Sequence, residues 1–200
     1  APAGKVIFGV CGGYQMMGEN LSDPQGVEGG GAMRGMGLLP MDTVFAGEKT
    51  RTRVNGAFEY TEGILAGLSG EPLSGYEIHM GVTSPREDCR ALTRIRNYAA
   101  GQCGAQNMQN QQEAFAGDEK PDGACRGNVY GTYVHGIFDR ENVAKGVVTA
   151  LGKAKGLDVS EITAVDFAAF KESQYDILAA ELRKHLDMKK IYEILEEGIA

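Results

Sequence analysis

The segment Lys5-Val-Ile-Phe-Gly-Val-Cys-Gly-Gly-Tyr-Gln15 carries the strongest structural signal in the 200-residue sequence. Residues 5–10 are apolar on both faces, which is typical of a buried strand in a parallel sheet. A helix start follows the two glycines. Because a buried strand needs neighbours on both sides and this one lies at the start of the chain, we expect upstream sequence or another chain to complete the sheet, so that the fold is N-terminally truncated.

The sequence around Cys11 predicts a thiol nucleophile. A buried strand that ends in Gly-x-Cys-Gly-Gly before a helix has the pattern of a strand–nucleophile–helix elbow. Glycines beside the nucleophile remove Cβ atoms that would clash in the sharp turn, and the helix start favours a thiolate. The N–H of Gly12 is a candidate donor to an oxyanion. The alternative is a small, buried and inert cysteine, which the strand context disfavours.

A thiol nucleophile needs a base, and the sequence has three histidines. His185 lies beside Leu186 in an amphipathic segment, where a surface or packing role is expected. His79 and His135 lie on or at the end of predicted strands, with a glycine shortly after each. Strand ends of a parallel sheet share the rim that holds Cys11, so either could reach it. The spacing favours His135.

The rest of the chain predicts an α/β fold in one domain, 1–200, with its helices clustered towards the C-terminus. Strands are expected at 74–80 and 128–134, and a hairpin is expected to turn at Asn55-Gly56. Helices are expected at 142–151, at 166–186 and after Asp187, which is a candidate N-cap. Residues 86–125 include a run of Asn and Gln and are predicted to form a surface insertion or mobile loop.

The composition excludes several classes of protein. With 20 Lys plus Arg against 27 Asp plus Glu, the net charge is −7, so broad binding to nucleic acid or to an acidic membrane surface is not expected. No apolar run reaches the roughly 18 residues of a membrane span, and no signal peptide is recognisable. Four cysteines without a C-x-x-C pair argue against a metal site and against a disulfide framework. A cytoplasmic protein is predicted.

Several separated motifs resemble one known family, the class I-type glutamine amidotransferase domain at the C-terminus of cobyric acid synthases. The resemblance covers nearly the whole chain outside 86–125. It implies a flavodoxin-like class I glutamine amidotransferase fold with a mainly parallel sheet. The motifs are Gly-Val-Cys-Gly-Gly-Tyr-Gln-Met-Met-Gly (9–18), Gly-Met-Gly-Leu-Leu-Pro (35–40), Gly-Tyr-Glu-Ile-His-Met-Gly (75–81), Val-Tyr-Gly-Thr-Tyr-Val-His-Gly-Ile-Phe-Asp (129–139) and the tail segments 174–179 and 182–188.

The resemblance also implies roles for single residues. Cys11 matches the nucleophile and His135 the general base, while Gln15 matches a position that contacts the bound glutamine. The strand that contains His79 matches one that lines the glutamine pocket. The family passes the ammonia to a synthetase domain, absent from this chain, which uses ATP and Mg²⁺ to amidate corrinoid carboxylates in cobalamin biosynthesis, from adenosylcobyrinic acid a,c-diamide to adenosylcobyric acid. No cofactor is therefore expected in this domain.

The sequence departs from the general class I pattern at two points. Ile137 stands where class I members generally carry a glutamate, which leaves Asp139 and Glu77 as candidates to orient His135. No phosphate-binding loop of the Gly-x-x-x-x-Gly-Lys-[Ser/Thr] type is present, so the chain alone is not expected to amidate a corrinoid. Two alternatives stay open: an amidotransferase that partners a Mur-ligase-like synthetase, and an inactive domain that only binds a synthetase. Formation of a homo-oligomer is also left open.

Overall fold

The computed structural model describes residues 4–86, 88–98, 115–163, 165 and 167–198, which fall into two units, 1–164 and 165–200. The strands of the first unit are β1 (Ile7–Val10), β2 (Asn20–Asp23), β3 (Gly31–Arg34), β4 (Met41–Phe58), β5 (Pro72–Pro85), β6 (Thr93–Tyr98), β7 (Phe115–Asp122), β8 (Ala124–Arg126), β9 (Val129–Thr132) and β10 (Val134–His135). Its helices are α1 (Gly12–Met16), a 3₁₀ helix (Gly63–Leu68) and α2 (Glu141–Ala154).

A three-stranded sheet in the order β1-β9-β8 holds the start of the chain. The apolar run at 5–10 forms β1, as the sequence predicted, and pairs in parallel with β9 from Ile7↔Val129 to Val10↔Thr132. The predicted strand at 128–134 is divided between β9 and β10, which enter different sheets. One stretch of chain therefore links the sheet that carries Cys11 to the sheet that carries His135.

The second sheet is built around the long pair β4 and β5, and its order is β10-β5-β4-β2-β3, with β6 on β4 and β7 on β6. Among the described pairings, only β1–β9 and β2–β4 are parallel. The mixed α/β architecture is as predicted, but a mainly parallel sheet is not confirmed. The long strands β4 and β5 run antiparallel and are joined by residues 59–71, which include the 3₁₀ helix.

The predicted hairpin at Asn55-Gly56 is wrong. Strand β4 continues straight through these residues, and Asn55 pairs with Ser74 of β5. A side chain at position 56 would collide with the backbone of Arg94 on β6, so the glycine serves close strand packing. The glycine that suggested a tight turn is thus required by β6, which pairs with β4 on the side opposite β5.

The structure differs from the surface insertion predicted at 86–125. Strands β6, β7 and β8 lie within that segment, and Leu92 and Ile95 are fully buried. Strand β6 alternates a buried Ile95 with exposed Arg94 and Arg96, and this charged face hid the strand in the sequence. Residues 99–114, which include the Asn/Gln run, lie outside the described residues.

The predicted helices are confirmed. Helix α2 of the first unit covers the stretch expected at 142–151, and its Val143 joins the core formed by the 3₁₀ helix and β9. The second unit consists of α3 (Phe167–His185) and α4 (Met188–Glu197). The Asp187 side chain accepts a hydrogen bond from the N–H of Lys190, as expected of an N-cap. Within the described ranges, no helix is both long enough and apolar enough to cross a membrane.

Candidate active site

Cys11 occupies a strained turn between β1 and α1. Its φ of 53° and ψ of −115° make it the one non-glycine residue with positive φ in the described part of the chain. The Cys11 N–H donates to the carbonyl of Thr132 (2.9 Å), and the Cys11 carbonyl accepts from the N–H of Gln15 (3.0 Å). A side chain on Gly9 would meet the backbone of Gly13, which explains the glycine there. Such strain persists only where its surroundings impose it, and it is typical of a nucleophile elbow.

The thiol of Cys11 lies at a cavity of about 350 Å³, within the size range of small-ligand pockets. The side chain is half-buried, and its Sγ donates to the carbonyl of Ile78 at 3.5 Å. The N–H of Gly12, at the first position of α1, is one of those that a helix leaves without an internal partner. The residues that line this cavity, called here the thiol cavity, are Cys11, Gly12, Gln15, Glu28, Phe45, Lys49, Ile78, His79 and Met80.

His135 lies at the end of β10, paired with Tyr76 of β5. Its Nε2 is buried and has no hydrogen-bond partner among the described residues. The Cys11 N–H bonds to Thr132, which precedes His135 by three positions, so the backbone at Cys11 lies near the segment that leads into His135. His135 is not among the residues that line the thiol cavity, whereas Gly12, Gln15 and His79 are.

His79 has both ring nitrogens engaged within the protein. Nδ1 lies 2.7 Å from the carbonyl oxygen of Gly81, and Nε2 lies 2.9 Å from Oε1 of Glu77. The ring stacks on Tyr133 with the centroids 3.7 Å apart. The His79 ring therefore lines the cavity. Because both of its nitrogens are engaged, neither is free to accept a proton from Cys11.

Neither candidate for orienting His135 bonds to its ring in the described part of the chain. Glu77 is buried and instead accepts from Lys120 Nζ (2.6 and 2.9 Å) as well as His79. Burial alone would raise the pKa of Glu77, but these hydrogen bonds and charges outweigh it and lower the pKa. Asp139 is exposed and lies over Gly136.

We expect Glu77→Gln to lower the free energy of unfolding by about 2 kcal/mol at pH 7, because the change removes a buried carboxylate that accepts hydrogen bonds from the ammonium group of Lys120 and holds the His79 ring. A carboxyl whose pKa is lowered in the folded state stabilises the fold above its unfolded pKa of about 4.3 and loses that contribution as pH falls through the folded value. The deficit should therefore shrink below about pH 4. Urea unfolding of both proteins across this range measures it.

The matched control for this prediction is Glu48→Gln, which removes the same charge from an exposed position. It should change the free energy of unfolding by less than about 0.5 kcal/mol. A deficit in Glu77→Gln that stays constant from pH 7 to pH 3 would contradict the proposed ionic role of Glu77.

A buried polar chain that the sequence did not reveal stands behind the thiol cavity. Gln15 is only 6% exposed, and its Nε2 donates to the hydroxyl of Tyr133 at 3.2 Å. The Tyr133 hydroxyl also bonds Thr83 (2.6 Å), which in turn bonds Thr43 (2.8 Å). Gln15 lies in α1, Tyr133 between β9 and β10, and the two threonines in β4 and β5, so only the tertiary fold brings these four residues together. This series of hydrogen bonds fixes the position of the Gln15 side chain at the cavity.

Asp122 forms a second buried group that sequence analysis missed. Its carboxylate accepts from the hydroxyls of Thr93 (2.9 Å) and Thr132 and from the N–H of Tyr133 (3.1 Å). Burial raises the pKa of this carboxyl despite these bonds. The surrounding Pro-Asp-Gly sequence looks like a surface turn. In the described ranges, no three His, Cys, Asp or Glu side chains converge as metal ligands would.

Two irregular segments, 24–30 and 46–49, each contribute one residue to the cavity wall. The carboxylate of Asp23 accepts from the backbone N–H groups of Val27 (2.8 Å), Glu28 (2.6 Å) and Gly30 (2.9 Å), which shapes the first segment into a loop. The second interrupts the pairing of β4 with β5. Glu28 and Lys49, one from each segment, line the cavity, and sequence analysis did not identify either.

Comparison with known proteins places this geometry in a family context. A family model described as the CobB/CobQ-like glutamine amidotransferase domain matches residues 1–143. A cobyric acid synthase from Ruminiclostridium cellulolyticum is 50% identical over 199 residues, which cover 100% of this chain and 36% of that protein. A cobyric acid synthase from Lachnoclostridium phytofermentans is 45% identical over 97% of this chain and 36% of its own length. The chain thus spans little more than a third of these relatives.

Proposed function

This chain belongs to the CobB/CobQ-like glutamine amidotransferase domain family, and we propose that it is the glutaminase part of a cobyric acid synthase. It would hydrolyse glutamine at Cys11 and pass the ammonia to a synthetase. The observation that carries the proposal is the strained backbone of Cys11. A glycine at position 11 would relieve this strain, yet the sequence has a cysteine there. A thiol held at such cost beside a cavity is accounted for by a nucleophile.

The first step is attack of the Cys11 thiolate on the side-chain carbonyl carbon of glutamine. His135 accepts the thiol proton, and its unpartnered Nε2 supports this role. The carbonyl π electrons move to oxygen, and N–H groups that include that of Gly12 stabilise the oxyanion. The product of this step is a tetrahedral adduct bonded to sulfur.

The second step expels ammonia and the third restores the thiol. The C–N bond breaks as His135 returns its proton to the leaving nitrogen, which yields ammonia and a γ-glutamyl thioester on Cys11. Water then adds to the thioester carbonyl, with His135 again accepting a proton. Loss of the thiolate releases glutamate, and the sulfur recovers its proton.

The acceptor of the ammonia is proposed from the relatives. Because proteins with 50% and 45% identity to this chain are described as cobyric acid synthases, we propose corrinoid carboxylates, those of adenosylcobyrinic acid a,c-diamide, as the groups amidated. ATP and Mg²⁺ would be bound by a synthetase domain outside this chain. The role of this chain is confined to release of ammonia.

Transfer of the glutamine amide nitrogen tests this proposal. We expect the full-length protein, given ATP, Mg²⁺, adenosylcobyrinic acid a,c-diamide and glutamine labelled with ¹⁵N at the amide, to place ¹⁵N in every new amide of the product, as measured by mass spectrometry. Label that appears only with a peptidoglycan precursor as acceptor would favour a Mur-ligase-like partner instead. Amidation with ammonium but no release of glutamate would leave a domain that only binds the synthetase.

A further inference from the structure

We propose that Lys49 binds the α-carboxylate of glutamine and Glu28 its α-ammonium group, so that these two side chains determine specificity at the thiol cavity. The inference rests on the proposed function, since it takes glutamine as the ligand. It adds the residues that recognise the end of the substrate that does not react. Neither residue belongs to the elbow at Cys11 or to the strand of His135.

The charges at the cavity carry this assignment. Four of its lining residues are titratable: Cys11, Glu28, Lys49 and His79. The ring nitrogens of His79 are engaged by Gly81 and Glu77, and Cys11 is the proposed nucleophile. Within the described part of the chain, Glu28 and Lys49 make no ion pair with each other or with another residue. The cavity thus presents one positive and one negative side chain, each available to a ligand.

Glutamine has the complementary charge pattern. Its α-carbon carries one negative and one positive group, and its neutral amide lies at the other end of the side chain. When the amide carbon lies at Cys11, the α-carbon must lie away from the elbow. The remaining charged wall is formed by the segments at 24–30 and 46–49, which supply Glu28 and Lys49. Charge-assisted hydrogen bonds to both groups would orient the substrate.

The loop that carries Glu28 is held in place before a ligand binds. Three N–H groups of the loop at 24–30, including that of Glu28, donate to the Asp23 carboxylate. Although burial of Asp23 acts to raise its pKa, the three hydrogen bonds outweigh that effect and lower the pKa. The Asp23 carboxylate therefore stays ionised at neutral pH. The backbone of Glu28 is therefore held in place, and less backbone entropy is lost when its side chain binds.

The position of Lys49 is set by an irregular bulge in β4. Residues 46–49 stand between Phe45, paired with Gly81, and Thr50, paired with His79, so four residues of β4 oppose the single Met80 of β5. Bulges redirect side chains and are common beside active sites. The N–H of Gly47 donates to Oε1 of Gln25 at 3.2 Å, which ties the bulge to the loop that carries Glu28. The two charges are held by one connected structure.

Binding of truncated substrates tests the assignment without requiring hydrolysis. In full-length protein with Cys11→Ala, calorimetric titration measures the Kd of L-glutamine, of 4-aminobutanamide, which lacks the α-carboxylate, and of 4-carbamoylbutanoate, which lacks the α-amino group. We expect Lys49→Met to weaken glutamine binding roughly 10- to 100-fold and to leave 4-aminobutanamide unchanged. Glu28→Gln should weaken glutamine by a similar factor and leave 4-carbamoylbutanoate unchanged.

Matched controls remove the same charges from exposed positions close by in β4 that do not line the cavity. Arg51→Met and Glu48→Gln should leave all three dissociation constants within about twofold. Equal weakening of glutamine and 4-aminobutanamide by Lys49→Met, or no glutamine binding at all, would overturn the assignment. If binding follows the expected pattern and the protein with Cys11 intact releases no glutamate, the proposed function fails while the recognition of glutamine stands.

Discussion

We expect Cys11→Ala to lower glutamine-dependent release of glutamate by at least about 10⁴-fold, since removal of the proposed nucleophile would leave only binding and oxyanion stabilisation. Amidation with added ammonium persists, because only the source of nitrogen is lost. The measurement is glutamate released by the full-length protein, set beside amide formed from ammonium under the same conditions. Retention of more than a hundredth of the glutaminase activity would contradict the assignment of Cys11.

The control for this prediction is Cys89→Ala, which removes another thiol. Burial, aided by nearby negative groups, raises the pKa of Cys89 to about 11, and burial also raises the pKa of Cys125. Neither thiol is therefore a thiolate at neutral pH, and thiolates are the reactive form. Cys89→Ala should keep full activity. Iodoacetamide should label position 11 ahead of 89 and 125, and glutamine should slow that labelling.

A second variant separates loss of chemistry from loss of fold. Cys11→Gly removes the sulfur as Cys11→Ala does, but it also removes the Cβ that makes a φ of 53° unfavourable. We expect Cys11→Gly to be more stable than Cys11→Ala by about 1 kcal/mol in urea unfolding, and equally inactive. Equal stability of the two variants would show that the turn at Cys11 stores no strain.

We expect His135→Asn to lower kcat/KM for glutamine hydrolysis roughly 10²- to 10⁴-fold, the range for a positioned general acid and base, which is the role proposed for His135. The buried Nε2 of His135 has no partner among the described residues, which supports its proposed role as the base. Asparagine keeps a polar side chain of smaller size but cannot shuttle a proton near neutral pH. Stopped assays of glutamate release at saturating and limiting glutamine give kcat and KM separately.

The matched control is His185→Asn, which changes a histidine that is exposed on α3. It should leave kcat and KM within about twofold of the parent values. In His135→Asn, alkylation of Cys11 by iodoacetamide should also slow, because the thiol loses its base. Unchanged alkylation together with a loss in KM alone would assign His135 to substrate binding instead.

Local features of the fold were predictable from the sequence. Gly9 before Cys11, the apolar run of β1 and the Asp187 cap each satisfy a demand of the backbone within a few residues. The helices were visible for the same reason, as their apolar positions repeat with the helical period. Such demands restrict which amino acids can stand at a position, so they leave a pattern in the sequence. The predicted need for glycine after Cys11 is not confirmed, since a Cβ at Gly12 or Gly13 would meet nothing within 4 Å.

Features that depend on distant pairing were not predictable. Asn55-Gly56 carries the signal of a tight turn, yet Gly56 exists to admit β6, whose residues lie about forty positions later. The alternating charges of β6 conceal a strand that is buried on one face only. In both cases the decisive neighbour is remote in sequence, and propensity carries no information about it.

The sequence established that a thiol stands in an elbow at a strand end and that a histidine closes another strand, because both follow from short-range sterics. Only the tertiary structure showed that Glu77 and Gly81 engage the ring nitrogens of His79, whereas Nε2 of His135 has no partner among the described residues. It alone brought Glu28 and Lys49 to the thiol cavity. Their placement depends on a local loop held by Asp23 and on a bulge in β4. The pairing of β2 with β4 brings the loop and the bulge together, and such register is a property of the whole fold.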